Sequence, residues 1–309
     1  MSGQTDTTRT VTTGTAQVEP APRRLTRAEK RAVAAKNRLS SPAASVIALL
    51  IAVLWTIPTL GLFVTSLRVQ NDIQADGWWN AFTRPLFTGY NYTSALDTGL
   101  GESFVNTFVI TIPAVLIPIT LALLAAYAFA WIPFRGREVL FVTVFALQVV
   151  PLQVTLIPLL RLYVDVGIAG SFWTVWLSHT MFGLPLAIFL LHNFMKDVPA
   201  SLVEAARMDG AGHVTIFFRV LLPLLVPAIA AFAVFQFLWV WNDLLVALTF
   251  AGGGATPLTS AIADLAGTRG NAWFLLAPGA FIAMAVPVAV FLGLQRFFVR
   301  GLLAGSVKG

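Results

Sequence analysis

The chain alternates long apolar runs with short charged connections. Six stretches hold no Lys, Arg, Asp or Glu: those enclosed by Arg38 and Arg68, Glu102 and Arg135, Glu138 and Arg161, Asp165 and Lys196, Arg219 and Asp243, and Arg269 and Arg296. About 20 apolar residues in a helix cross a bilayer core, because a helix satisfies its own backbone polar groups where water cannot. Each stretch is long enough. The pattern predicts six transmembrane helices near 43–67, 103–130, 139–160, 172–194, 222–249 and 273–297. Pro58, Pro113, Pro118, Pro151, Pro158, Pro185, Pro278 and Pro287 fall inside them. In a packed bundle neighbouring groups re-satisfy the carbonyls that prolines release, so these residues do not argue against helices. The expected fold class is all-α and polytopic.

Composition removes the soluble alternatives. The 309 residues are 57% hydrophobic and only 11% charged, whereas a soluble domain carries roughly a quarter charged residues. A soluble enzyme and a disordered or fibrous chain are both excluded. With no cysteine there is no disulfide framework, thiolate metal site or cysteine nucleophile. The net charge of +6 would suggest nucleic acid in a soluble protein. Here 16 of the 20 Lys and Arg residues fall in the tail 1–42, the loops 131–138 and 195–221, and the C-terminal end. The alternate loops hold only Arg68, Arg84, Arg161 and Arg269. By the positive-inside rule both termini are cytoplasmic, and the basic excess reports orientation in a cell membrane rather than nucleic-acid binding.

The reading divides the chain into a basic, largely disordered tail (1–42), a first helix with its outer loop (43–102), a transmembrane core (103–298) and a C-terminal tail (299–309). A short basic helix near 26–38 suits a membrane surface. The first span, which follows that whole tail, reads as an uncleaved anchor. No Gly-x4-Gly-Lys-Ser/Thr phosphate loop occurs, and Gly99 and Gly101 lack the context of a dinucleotide site. His179, His192 and His213 have no metal-ligand spacing, and His179 and His192 read as packed or interfacial side chains near the ends of span four.

One connection is out of proportion. In loop 195–221, Pro199 suits a first helical turn, and Ser201 with Glu204 has capping-box spacing, so the helix starts at one or the other. Leu202, Ala205, Ala206 and Met208 make a small-residue helix, with Glu204, Arg207 and Asp209 polar. Gly210 and Gly212 end it and permit a sharp turn. On physical grounds this is either an ordinary loop helix or a docking element.

The residues Glu204-Ala205-Ala206, then Gly210, then Val220-Leu221-Leu222-Pro223, resemble the EAA motif of ABC importer permeases, with Val220 in place of isoleucine as the one departure. The surrounding chain, about 43–309, is similar to the carbohydrate-uptake, maltose-permease G-type branch. Asn106-Thr107-Phe108, Tyr127-Ala128-Phe129-Ala130, Pro151-Leu152-Gln153, Ile157-Pro158-Leu159, Trp241-Asn242-Asp243 and the end Ala304 to Gly309 carry that likeness. Leu294 to Leu302 looks closest to α-glucoside permeases. The resemblance implies a type I ABC importer transmembrane fold and a permease that is not itself an enzyme. It also implies that helix 199–210 couples to a motor. Glu204, Ala205, Ala206, Asp209, Gly210 and Pro223 would form the ATPase-coupling set. No cofactor is expected on this chain, with ATP and Mg on a partner ATPase. Expected partners are a second, F-type permease, two ATP-binding subunits and an extracytoplasmic sugar-binding protein. The rival class is a stand-alone secondary transporter or channel, which would show inverted repeats and in-span titratable residues.

For substrate, Gln236, Trp239 and Asp243 share one helix face of span five, with Asn242 adjacent. An aromatic ring beside amides or a carboxylate suits a sugar, while the same residues suit an outer membrane boundary. Gln148, Gln153 and Thr155 around Pro151 are similar candidates, equally able to satisfy a kinked backbone. The aromatics of 68–102 and the glycine-rich loop 252–270 are expected to face outward, for a binding protein or for lipid headgroups.

Overall fold

The structure, a computed structural model, describes the backbone of residues 42–268 and 272–306, and side chains over 42–267 and 272–294. The basic tail, with its expected helix at 26–38, lies outside the described residues. Packing divides the chain into residues 1–58 and 59–309.

Among the described residues the regular structure is helical, joined by turns and extended connections, with two isolated bridge pairs and no strand. Its main helices are α1 (Pro42–Leu67), α2 (Gly101–Trp131), α3 (Arg137–Ala146), α4 (Leu152–Asp165), α5 (Phe172–Asp197), α6 (Ala200–Met208), α7 (Leu222–Trp241), α8 (Leu245–Phe250), α9 (Leu258–Thr268) and α10 (Trp273–Ser306). Five described helical stretches are long and apolar enough to cross a membrane, or six if the bent pair α3 and α4 is one span.

Within residues 59–309, α2, α5 and α7 form the centre. Ala114, Ala122, Ala126 and Ala187 are fully buried there. These small side chains let helix backbones approach closely, as packing in lipid favours. Gly279 of α10 serves the same purpose, since a Cβ there would stand 3.0 Å from Leu100.

Two expected spans are not simple helices. Span three breaks into α3 and α4, which meet at 99°. Val150 and Pro151 are extended at the break, as a residue before proline prefers. Span five ends at Trp241, and α8 starts only after a break at Asn242–Leu244. The glycine-rich connection after α8 contains a further helix, α9.

Candidate functional site

The 195–221 connection forms the helix that its residues predicted. Pro199 takes the N-cap position, the helix begins at Ala200, and no side chain caps it. Ser201 therefore sits inside the first turn and the capping box is not formed. Gly210 adopts φ +80°. Its N–H donates to the Arg207 carbonyl at 3.0 Å, and the Ala211 N–H reaches back to Ala206 at 2.9 Å. That pair of bonds is a Schellman closure, which needs a left-handed residue at this position. A Cβ at Gly210 would meet nothing within 4 Å, so the demand for glycine is one of backbone angle alone.

Of the helix's own side chains only Val203 is buried. Ala206 is half-buried, and Glu204, Ala205 and Asp209 are exposed. Leu202 and Met208 are exposed too, Met208 at 83%. Beyond the turn, His213 Nδ1 and the Tyr127 hydroxyl share a hydrogen bond of 2.7 Å. That bond ties the loop to the last turns of α2. Pro223 is exposed in the first turn of α7 and continues the line from Ile216, Phe217 and Leu221, which are buried. Sequence reasoning missed the Tyr127–His213 contact because nothing local links two residues 86 positions apart.

The substrate candidates fall into two groups. Gln148, Gln153, Thr155, Phe182, Pro185 and Trp239 line one cavity of about 470 Å³ at the α3–α4 break. Pro185 has no N–H to offer the Met181 carbonyl, and Met181 lies on the same wall. Gln236, Trp239 and Asp243 all meet α5. The Gln236 amide lies against Gly183, where an added Cβ would stand 2.8 Å from Oε1. Trp239 packs edge-on to His179 with centroids 5.5 Å apart. Asp243 Oδ2 lies 3.7 Å from His179 Nε2 and accepts the Ala247 N–H at 3.0 Å. The shared face therefore holds, although Asp243 sits in the break after α7 rather than on it. Asn242 is exposed and separate, its amide donating to the Leu238 carbonyl of its own helix at 2.7 Å.

His179 is a packed side chain, as its sequence context predicted. It lies inside α5 and is 1% exposed, against Asp243 and Trp239. His192 is likewise buried, its ring centroid 4.3 Å from that of Phe141. Among the described residues no three His, Asp or Glu gather as a metal site.

At the end of α2 opposite His213, polar side chains clamp the connection between α8 and α9. Asn106 donates to the carbonyls of Gly254 and Thr256, and Thr107 accepts the Leu258 N–H at 2.9 Å. A second cavity of about 340 Å³ opens there among Glu102, Asn106, Thr256 and Asp264. In the 68–102 segment Arg68 is buried and pairs with Asp76, and also donates to the Gly77 carbonyl. The guanidinium holds the Asp76 carboxyl below the usual carboxylate range. Trp79, Phe82, Phe87 and Tyr90 remain exposed.

The geometry is thus that of a membrane-spanning helical bundle with close small-residue contacts, a cavity at a broken span and an exposed helix on a glycine-closed turn. Known proteins agree. Residues 118–303 match the family described as binding-protein-dependent transport system inner membrane component, and the chain belongs to that family. The osmoprotective compounds uptake permease protein GgtD of Synechocystis sp. is 55% identical over 84% of this chain and 90% of its own length. The alpha-glucoside transport system permease protein AglG of Rhizobium meliloti is 51% identical over 79% of this chain and 68% of that protein. The melibiose/raffinose/stachyose import permease protein MelC of Bacillus subtilis is 33% identical over 86% and 96%. Among solved structures, a bacterial alginate ABC transporter, in complex with a periplasmic protein bound to alginate pentasaccharide, has a chain that aligns with TM-score 0.59. The alignment covers 85% of this chain and 96% of that one at 14% identity, a likeness of fold. The chain is thus an inner-membrane permease of the ABC importer class and not an enzyme, since ATP hydrolysis in such importers belongs to a separate subunit. The stand-alone transporter or channel is not favoured.

Proposed function

We propose that this permease carries α-glucosides or related oligosaccharides, and that α6 is its coupling helix. The observation that carries the reading is the exposure of Glu204, Ala205, Met208 and Asp209 on a helix whose end is fixed by Gly210 at φ +80°. Such a surface has contact-ready apolar and polar groups and a turn rigid enough to transmit force. Ala205 and the half-buried Ala206 allow an ATPase cleft close approach to the backbone, Glu204 and Asp209 supply its polar contacts, and Pro223 starts the helix that receives the movement. Both termini and α6 then lie on the cytoplasmic side. One such helix per chain, against motors that work in pairs, requires a second permease of the F-type and two ATP-binding subunits, which hold ATP and Mg. An extracytoplasmic sugar-binding protein docks on the face bearing Trp79, Phe82 and Tyr90.

The 470 Å³ cavity is the substrate pathway of this subunit. Trp239 offers a ring for the apolar face of a sugar. Gln148 and Gln153 offer amides, and the carbonyl that Pro185 leaves without its helical donor can accept a hydroxyl. Asp243, through His179, and Gln236, through Gly183, hold α7 and therefore Trp239 in place, and Asn242 marks the exposed end. The names of the relatives, α-glucoside and melibiose/raffinose/stachyose permeases among them, support this substrate class.

The test is assembly and stimulation. The chain should co-purify with an ATPase subunit and a second permease, and a binding protein loaded with maltose, trehalose or sucrose should stimulate ATP hydrolysis by the complex. Transport by a homo-oligomer of this chain without ATP would overturn the reading.

A further inference from the structure

A proline inside a helix withholds the N–H that would bond the carbonyl four residues earlier. Pro113, Pro118 and Pro287 therefore release the carbonyls of Val109, Ala114 and Ala283. In each case a side chain from another helix takes the freed oxygen. Trp176 Nε1 of α5 donates to Val109 at 2.9 Å. Gln236 Nε2 of α7 donates to Ala114 at 3.2 Å, and Trp241 Nε1 of α7 donates to Ala283 at 2.9 Å. Two of the three donors lie on α7, and they point to different neighbours, α2 and α10. Gln236 is 1% exposed and Trp241 2% exposed, so no water competes for these bonds. Helical structure also runs from His213 through α7 to Trp241, which makes α7 continuous with the turn that follows α6.

We infer that Gln236 and Trp241 are positioning residues that fix α7 to α2 and α10 at proline-released carbonyls, so that movement entering α7 from the 195–221 loop carries both helices with it. The prolines serve as sockets: each presents a bare carbonyl on the flank of a helix that would otherwise show none. This inference rests on the coupling role proposed for α6.

The chain has no cysteine, so nitroxide labels can be placed at will. In the assembled complex in nanodiscs, labels at Leu116 and Phe235, both exposed, report α2 against α7 before and after ATP with vanadate. The expected distance is unchanged in the otherwise native complex and changes in Gln236→Leu. Because Gln236→Leu leaves a carbonyl unpaired, its melting temperature should fall by roughly 2–4 °C. Adding Pro118→Ala restores an intrahelical donor, so the double variant should recover the melting temperature while α2 and α7 still separate under ATP and vanadate. Melting of Gln236→Leu that Pro118→Ala does not rescue, or a double variant whose label distance behaves as in the native chain, overturns the inference. Failure of the coupling proposal looks different: a label at exposed Val214 then ignores ATP and vanadate. The melting cycle, which needs no ATP, then decides the pairing of Gln236 with Pro118, and the loss of movement at Val214 removes the lever.

Discussion

The two ends of α7 are built on opposite plans. Near its start, Ile216, Phe217 and Leu221 anchor the chain and Tyr127 bonds His213, but α6 itself buries only Val203 and turns most of its polar and apolar groups outward. Near its finish, Gln236 and Trp241 are buried with their donors used, and Asp243 accepts the Ala247 N–H beside His179. The first end leaves its surface for another body to complete. The second is closed on itself, and its bonds go to backbone carbonyls of neighbouring helices, which cannot swing away as side chains do.

The sharpest way to break this contrast is Gly210→Val. A β-branched residue at the φ of +80° found here is strained. The Schellman turn therefore opens, and ATP-driven sugar uptake is expected to be lost while membrane insertion persists. Full uptake by that variant would remove the coupling assignment. Gly210→Asn, which tolerates the left-handed region better, should keep measurable uptake. Next in size is Met208→Glu. Burying that charge at an apolar contact should lower recovery of the ATPase subunit in co-purification about tenfold, equivalent to ~1.4 kcal/mol, with unchanged melting because Met208 touches little of its own chain.

At the closed end the informative change is Gly183→Ala. In a helix interior this exchange ordinarily stabilises by about 0.8–1 kcal/mol. Here the new Cβ meets the Gln236 amide, and loss of its bond, worth about 0.6–1.7 kcal/mol, offsets that gain, so the melting temperature should change little or fall. The full gain of about 0.8–1 kcal/mol in Gly183→Ala would show that the Gln236–Ala114 bond carries no weight.

The smallest effect concerns neither end of α7. Arg68 depresses the Asp76 carboxyl, so this contribution to the 68–102 segment is present above the ordinary carboxylate pKa and is lost only as pH falls through the lower, folded value. Trp78, half-buried against Gly61, reports it: its fluorescence should hold steady to below about pH 4 in the native chain. Asp76→Asn should show the released signal at every pH.

Spacing made much of this legible. The charge-free runs located the helices, and Glu204 to Pro223 marked the loop that stands apart. What could not be read locally was which prolines break a helix. Pro113 and Pro118 lie within an unbroken α2, and Trp176 and Gln236 arrive from other helices to take the freed carbonyls. At Pro151 the Leu147 carbonyl is met by the Val150 N–H in a tightened turn, and the chain turns through 99°. These donors stand 67 and 122 positions along the chain from the carbonyls they take, so no window around the proline contains them. The same holds for His179, whose partners Trp239 and Asp243 belong to another helix and its flanking break.

The bond between Gln236 and the oxygen that Pro118 releases gives the two positions a mutational order. If Pro118 changes first, Gln236 becomes a spare donor at an already satisfied carbonyl and the helix is intact. If Gln236 changes first, a buried oxygen is stranded. The pair can therefore be dismantled safely in one direction only, and it can be built in only one: the glutamine must be in place before the proline. A segment swap with a relative that lacks the glutamine should lose stability when the crossover falls between positions 118 and 236 and leaves the proline without its donor.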